Sequence, residues 1–170
     1  MQTVVASDFF KNRKDSIKLT KCPISSLLPA SRLRRGDIVS ITGDVFWVCA
    51  KVVQMLAKSC PIGSSVHVFD SSLKFSVILK DTVYVPIFNS FHLSSELSNL
   101  CLFAPTDFLV LFILSDGCYQ PIDLEIVKSL NCAIITNSAI PQHAFSLFVS
   151  GARVTAVSRN RDKKYAHLEI

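Results

Sequence analysis

Hydrophobic and polar residues alternate with a period of two over much of this chain, in short runs broken by Gly, Ser, Asp and Pro. A period of two turns successive side chains to opposite faces of a strand, so the pattern predicts a mostly β domain with short helices. The first strong run begins at Gly36-Asp37 and continues from Ile38 to Val53. It sets Val39, Ile41, Val45, Trp47 and Cys49 on one face and Ser40, Thr42, Asp44 and Phe46 on the other. Gly43 in its middle reads as a bulge or sharp coil in a long strand. The spacing of Val48, Val52, Met55 and Leu56 fits a short helix over 48–58 as well. Two more runs, Ser65–Asp70 and Leu73–Lys80, flank Ser71-Ser72 and predict a hairpin whose turn is held by Asp70. A strand is expected over 82–88, a helix over Ser90–Leu97 behind a polar cap, and a buried strand over 108–114. Asp116-Gly117 reads as a turn, and Pro121–Leu130 as a helix that opens with proline and two acids. Strands at 132–136, 145–149 and 152–157 complete the pattern.

With 170 residues, 49% of them hydrophobic and 18% charged, the chain is sized for one domain and can bury a core, which excludes disordered and collagen-like classes. Its net charge of +5 is unevenly placed. Residues 1–35 hold eight basic groups against two acidic ones (+6), 36–152 hold five against nine (−4), and 153–170 hold five against two (+3). The expected organisation is therefore a basic arm over 1–35, with one short strand near Ile17–Leu19, a β domain over 36–157 and a basic tail over 158–170. If arm and tail meet in space they orient a polyanion; if they lie apart they serve only solubility. The longest apolar run, Phe108–Leu114, is far short of the roughly 20 residues that a membrane-spanning helix needs. No basic segment precedes an apolar stretch at the N-terminus, so no secretory leader is expected. The cysteines at 22, 49, 60, 101, 118 and 132 sit mostly in apolar runs without zinc-ligand spacing, and are expected to be buried thiols in a reducing compartment.

Residues 33–79 resemble the opening of an oligonucleotide/oligosaccharide-binding (OB) fold. The likeness rests on Gly36-Asp37, Val39, Ile41, Gly43 and Val45, then Val66, Val68, Asp70 and Ser71, then the alternating Leu73–Leu79 and the helix near Ser90–Leu97. A polar lead, Pro23-Ile-Ser-Ser-Leu27, precedes the first strand, as in the OB domains of telomere-end-protection and other single-strand-binding proteins. The resemblance implies an OB-like five-stranded barrel, here with an extra helix, that binds single-stranded nucleic acid without catalysis or cofactor. A nuclear location and protein partners in a larger complex follow from the same resemblance. It implies a binding face on which Phe69 stacks a base, Phe46 extends the platform, His67 stacks or donates, and Lys74 and Lys80 meet phosphates. Arg34 and Arg35 of the arm and Arg159, Arg161, Lys163 and Lys164 of the tail, with Tyr165, would flank that face. On the opposing reading, Phe69 and Ile78 pack under the Pro121 helix or the N-terminal arm, with the lysines solvated at the rim.

Two other classes compete. A small matrix-type structural protein, an α+β sandwich, would use its basic ends on membrane or nucleocapsid and its apolar residues for self-association. A cysteine protease would pair Cys49, at a helix start, with His143, although Cys49 also fits the inward face of the first strand. The remaining histidines show no metal-ligand spacing, the acidic residues form no catalytic pair, and the five glycines stand too far apart for a phosphate-cradling loop.

Overall fold

The seven residues Phe108–Leu114 and the five of Cys132–Thr136 are buried at every position, so the strands they form are covered on both faces. That is the condition of central strands in a parallel sheet. The computed structural model describes residues 15–20, 22–43, 46–76, 79, 82–102, 108–116, 130, 132–137, 145–158 and 163–167. Along them run β1 (Ser16–Lys18), β2 (Arg32–Arg34), β3 (Ile38–Gly43), α1 (Phe46–Lys58), β4 (Ser64–Asp70), β5 (Val83–Pro86) and α2 (Ser90–Leu102). β6 (Phe108–Leu114), β7 (Cys132–Thr136), β8 (Phe145–Ser150), β9 (Arg153–Ser158) and β10 (Lys163–His167) follow. The chain is mostly β, as the alternation predicts.

Eight strands form one mixed sheet in the order β10-β9-β8-β3-β7-β6-β4-β5. The six from β8 to β5 are mutually parallel, while β9 and β10 turn back antiparallel. Pairing among the described residues is open, with β10 and β5 at the edges. On one face α1 buries Cys49, Ala50, Val52, Val53 and Leu56 against Val39, Ile41, Val68, Val110, Phe112 and Ile135. On the other, α2 sets Leu93 and Leu97 against Phe69, Leu109, Leu111, Ile113 and Ile134. Each fully buried side chain of this size contributes about 1.5–3 kcal/mol.

Three expectations change. The long first strand stops at Gly43, and Phe46 opens α1, so the alternative helix over 48–58 is the one that forms. A Cβ at Gly43 would lie 2.7 Å from both the Cys49 Sγ and the Val149 carbonyl oxygen. Glycine is present there because helix and strand approach closely, and no bulge is involved. The hairpin over 65–80 does not form: β4 pairs parallel strands on both sides, and the described part of 71–76 is a turn that leads away. Its cause is Asp70, a fully buried carboxylate. Oδ1 accepts hydrogen bonds from the Ser72 amide (2.9 Å) and hydroxyl (2.6 Å), and Oδ2 from the Phe75 amide (3.0 Å) and the Tyr84 hydroxyl (2.8 Å).

The basic arm is, from Ser16 on, part of the domain. β1 and β2 pair antiparallel, and Ile17, Leu19, Ile24, Leu27, Leu28 and Leu33 join the α1-side core. The turn at Ser25–Leu27 lies against β10, so the described parts of arm and tail do meet in space. Ile78, Lys80, Arg159, Arg161, His143, Cys118 and the 121–129 part of the expected helix lie outside the described residues.

Candidate nucleic-acid interface

The strand-centred site expected from the sequence is taken apart by the register. Phe69 is 2% exposed and packs in the α2-side core. Truncating such a phenylalanine costs about 3–5 kcal/mol, more than the 1–3 kcal/mol that a stacked base returns, so burial wins over stacking. His67, one pleat earlier on the same face, is half-buried, and burial lowers its pKa, which favours the neutral imidazole. Phe46 and Lys74 do come together, at the carboxyl end of the sheet. The Lys74 ammonium lies 5.4 Å from the Phe46 ring centroid and 2.9 Å from an Asp116 carboxylate oxygen. Phe46 also meets Phe75 (5.1 Å) and Trp47 (5.5 Å), the latter 67% exposed.

The carboxyl end of the strands is where open parallel sheets usually take ligands. Phe75 and Leu79, after β4, pack on the α1 side, whereas Leu130, just before β7, packs on the α2 side. At this end the described polar groups bond to one another. Asp70 holds the four donors named above, Ser71 donates to the Leu114 carbonyl, and Ser115 and Asn137 exchange two hydrogen bonds of 2.8 and 2.6 Å. Cys49 is buried inside α1. Burial also pushes the Cys60 and Cys132 thiols up to about 12. Among the described residues no cluster of His, Cys, Asp or Glu could hold a metal ion, and no helix is long and apolar enough to cross a membrane.

Trp47, Phe88 and Phe91 are exposed singly on α1, after β5 and on α2, whereas aromatic and basic side chains are exposed together on β8, β9 and β10. Alternation sends Leu147, Val149, Val154 and Ala156 into the α1-side core, which leaves Phe148, Arg153, Thr155, Lys163, Tyr165 and His167 on the other face. The register aligns them in rows. Thr42, Phe148, Thr155 and Tyr165 form the middle row, Ser150, Arg153 and His167 the row toward the carboxyl rim, and Ser146, Val157 and Lys163 the row on the other side. Phe148 is 49% and Tyr165 53% exposed, although both are aromatic. They stand two strands apart, about 10 Å at ordinary strand spacing. The Arg153 guanidinium lies 4.2 Å from the Tyr165 ring centroid, a stacked cation and ring open to solvent. Gly151, with φ +54°, supplies the tight turn that holds β8 against β9. The Thr42 hydroxyl at the head of the middle row is buried without a hydrogen-bond partner.

Of the expected site residues, Lys163 and Tyr165 lie on this face. Lys164 points to the opposite side of the same strand, while Arg34 and Arg35 are exposed near the amino end of β3. Phe148, Arg153, Thr155 and His167 were missed. A signal for one of them was present: in Phe145-Ser-Leu-Phe-Val-Ser150 the polar-facing positions are Ser146, Phe148 and Ser150, an aromatic where alternation calls for a polar residue. No protein-family model matches the chain, and comparison with curated proteins finds no relative.

Proposed function

We propose that the protein binds single-stranded nucleic acid, without catalysis, on the exposed face of β8, β9 and β10. The observation that carries this reading is the row Phe148–Thr155–Tyr165 with Arg153 stacked on Tyr165. Two aromatic platforms about 10 Å apart on a rigid sheet suit splayed bases, which stack on such rings at about 1–3 kcal/mol each. Lys163 and Arg153 flank the rings with positive charge, and the described residues of the three rows include no carboxylate. Thr155 offers a hydroxyl to base edges or sugars.

An OB-like barrel is the finer form of this reading. The open strand order supports the coarser one, an exposed aromatic and basic sheet face, which needs no closure. Telomeric or other single-stranded DNA, a nuclear location and membership of a larger complex are the corresponding finer proposals. The test is fluorescence anisotropy with labelled oligothymidine and oligouridine of about 12 nucleotides, within the site sizes of single-strand binders. Binding that weakens with salt is expected. Absence of binding at low salt, or association with anionic vesicles and not with oligonucleotides, refutes the proposal, the second result in favour of a matrix-type role.

A further inference from the structure

The layer that covers the α1 side of the sheet is electrically one-sided. Residues 16–36 contain no Asp or Glu, and neither does α1. Because Ile17, Leu33, Val52, Val53 and Leu56 face the core, Lys18, Arg34, Lys51 and Lys58 are left exposed on the outer side. The Thr20 amide donates to the Ser59 carbonyl at 3.1 Å, which ties the β1–β2 hairpin to the end of α1 and makes the two a continuous surface. Arg35 stands at its rim, where the next residue, Gly36, donates to the Cys132 carbonyl. Among the described residues the salt bridges are Lys74–Asp116 and His92–Glu96, neither of which involves this layer, while Asp37, just past Gly36, accepts a hydrogen bond from the Arg34 amide (2.8 Å) and lies in the field of its guanidinium. The opposite layer is different: α2 contains Glu96 and no Lys or Arg.

Edge strand β10 connects this surface to the proposed binding face. Its alternation puts Lys163 on the face of Phe148 and Tyr165, and Lys164 on the α1 side, both exposed. The Ser25–Leu27 turn lies directly against β10 on that side. A phosphate backbone leaving the aromatic face therefore meets a cation on each side of the sheet edge and then a layer whose interior carries Lys and Arg, with the carboxylates of Asp15 and Asp37 at its border.

We infer that the β1–β2 hairpin and α1 form a second, sequence-independent phosphate-binding surface that holds the part of the same strand extending past the β10 edge. The inference rests on the reading of the β8–β10 face as the site of base stacking. It assigns the two surfaces different tasks: the aromatic rows hold bases, and the hairpin layer supplies length-dependent affinity through counterion release.

Oligonucleotides of roughly 6 and roughly 30 nucleotides separate the two, since the shorter lies near the lower limit of single-strand site sizes. In wild-type protein the longer strand binds more tightly and with a steeper salt dependence. Neutralising three exposed cations, Lys18→Gln with Arg34→Gln and Lys58→Gln, is expected to reduce the log–log salt slope for the long strand by about 2, at about 0.7 per phosphate contact, and to leave the short strand unchanged. An independent triple, Arg35→Gln with Lys51→Gln and Lys164→Gln, is expected to act in the same way, and unfolding midpoints check that both variants are folded. An unchanged long-strand slope in both triples overturns the inference while the stacking face stands. So does a loss confined to vesicles of phosphatidylcholine and phosphatidylserine, which would make the layer a membrane surface. Short-strand binding that is indifferent to Phe148→Ala with Tyr165→Ala overturns the stacking face itself, and the inference with it.

Discussion

Removing the two exposed rings separates stacking from general electrostatic attraction. Phe148 and Tyr165 are both about half exposed, so neither is a main support of the core. Phe148→Ala gives up roughly half of the 1.5–3 kcal/mol that a fully buried ring contributes. Tyr165→Ala loses an edge-strand contact with Arg153 worth about 0.5–1 kcal/mol. Both losses are small beside the 5–15 kcal/mol typical of a domain, so the variants stay folded. In binding, each ring accounts for about 1–3 kcal/mol, a factor of about 5 to 150 in Kd. Their separation of about 10 Å makes the effects nearly additive, so the double variant weakens binding by about 30-fold or more. The salt slope is unchanged, because no charge is removed. Tyr165→Phe keeps the platform and most of the affinity. Anisotropy titrations of the short oligonucleotide at two salt concentrations read all of these quantities. A double variant that binds as tightly as wild type, or one whose slope falls with its affinity, refutes stacking on this face.

Three further outcomes follow from the frame that holds it. Asp70→Ala leaves the Phe75 amide, both Ser72 donors and the Tyr84 hydroxyl without their acceptor, and is expected to cost about 3 kcal/mol or more in urea unfolding; a loss below about 1 kcal/mol contradicts the assigned role. Gly43→Ala drives a methyl group into the Cys49 Sγ and the Val149 carbonyl and is expected to cost about 1–3 kcal/mol, seen as a lower thermal midpoint. His67 has a folded-state pKa lowered by burial, so the unfolded chain binds the proton more readily. Stability is then complete above the unfolded pKa of about 6.5 and falls as pH drops through that value toward the folded one. His67→Gln should flatten that part of the stability profile, and an unaltered profile would assign the pH dependence to another group.

β6, β7, β8 and β9 were legible because their evidence is local. Runs such as Phe-Leu-Val-Leu-Phe-Ile-Leu and Cys-Ala-Ile-Ile-Thr have no polar face to offer solvent, and the ends of the strands fall at Gly, Ser or Asn. The β3–α1 boundary was ambiguous for a physical reason: Val48, Val52, Met55 and Leu56 satisfy a period of 3.6 while Val45, Trp47 and Cys49 satisfy a period of two. What settles it is the contact of Gly43 with Cys49 and Val149, and Val149 is over a hundred residues away in sequence. The expected hairpin failed in a similar way. Leu73–Lys80 alternates well, but Asp70 folds the chain back on Ser72 and Phe75, and the partners of β4 come from residues 83–86 and 108–114. Alternation reports that a strand exists and which side is apolar; it carries no information about a parallel neighbour.

The candidate site shows the same division between local and distant causes. Basic ends on a mildly acidic body are visible in residue counts, and their meeting was the condition set for a polyanion surface. The Ser25–Leu27 turn lies against β10, which brings an uncharged part of the arm, and not its cations, to the tail strand. Stacking was assigned to Phe69 because an aromatic opposite Val68 was read as outward-facing. In a sheet covered on both faces there is no outward side at β4, so that inference holds only where a covering layer is missing. Beyond β8 the sheet turns antiparallel, and on the far side from α1 Phe148 and Tyr165 remain half exposed. An aromatic on the polar side of a strand is thus informative at the margin of such a sheet and misleading at its centre. Strand order, and not residue type, decides which of Phe69 and Phe148 can meet a base.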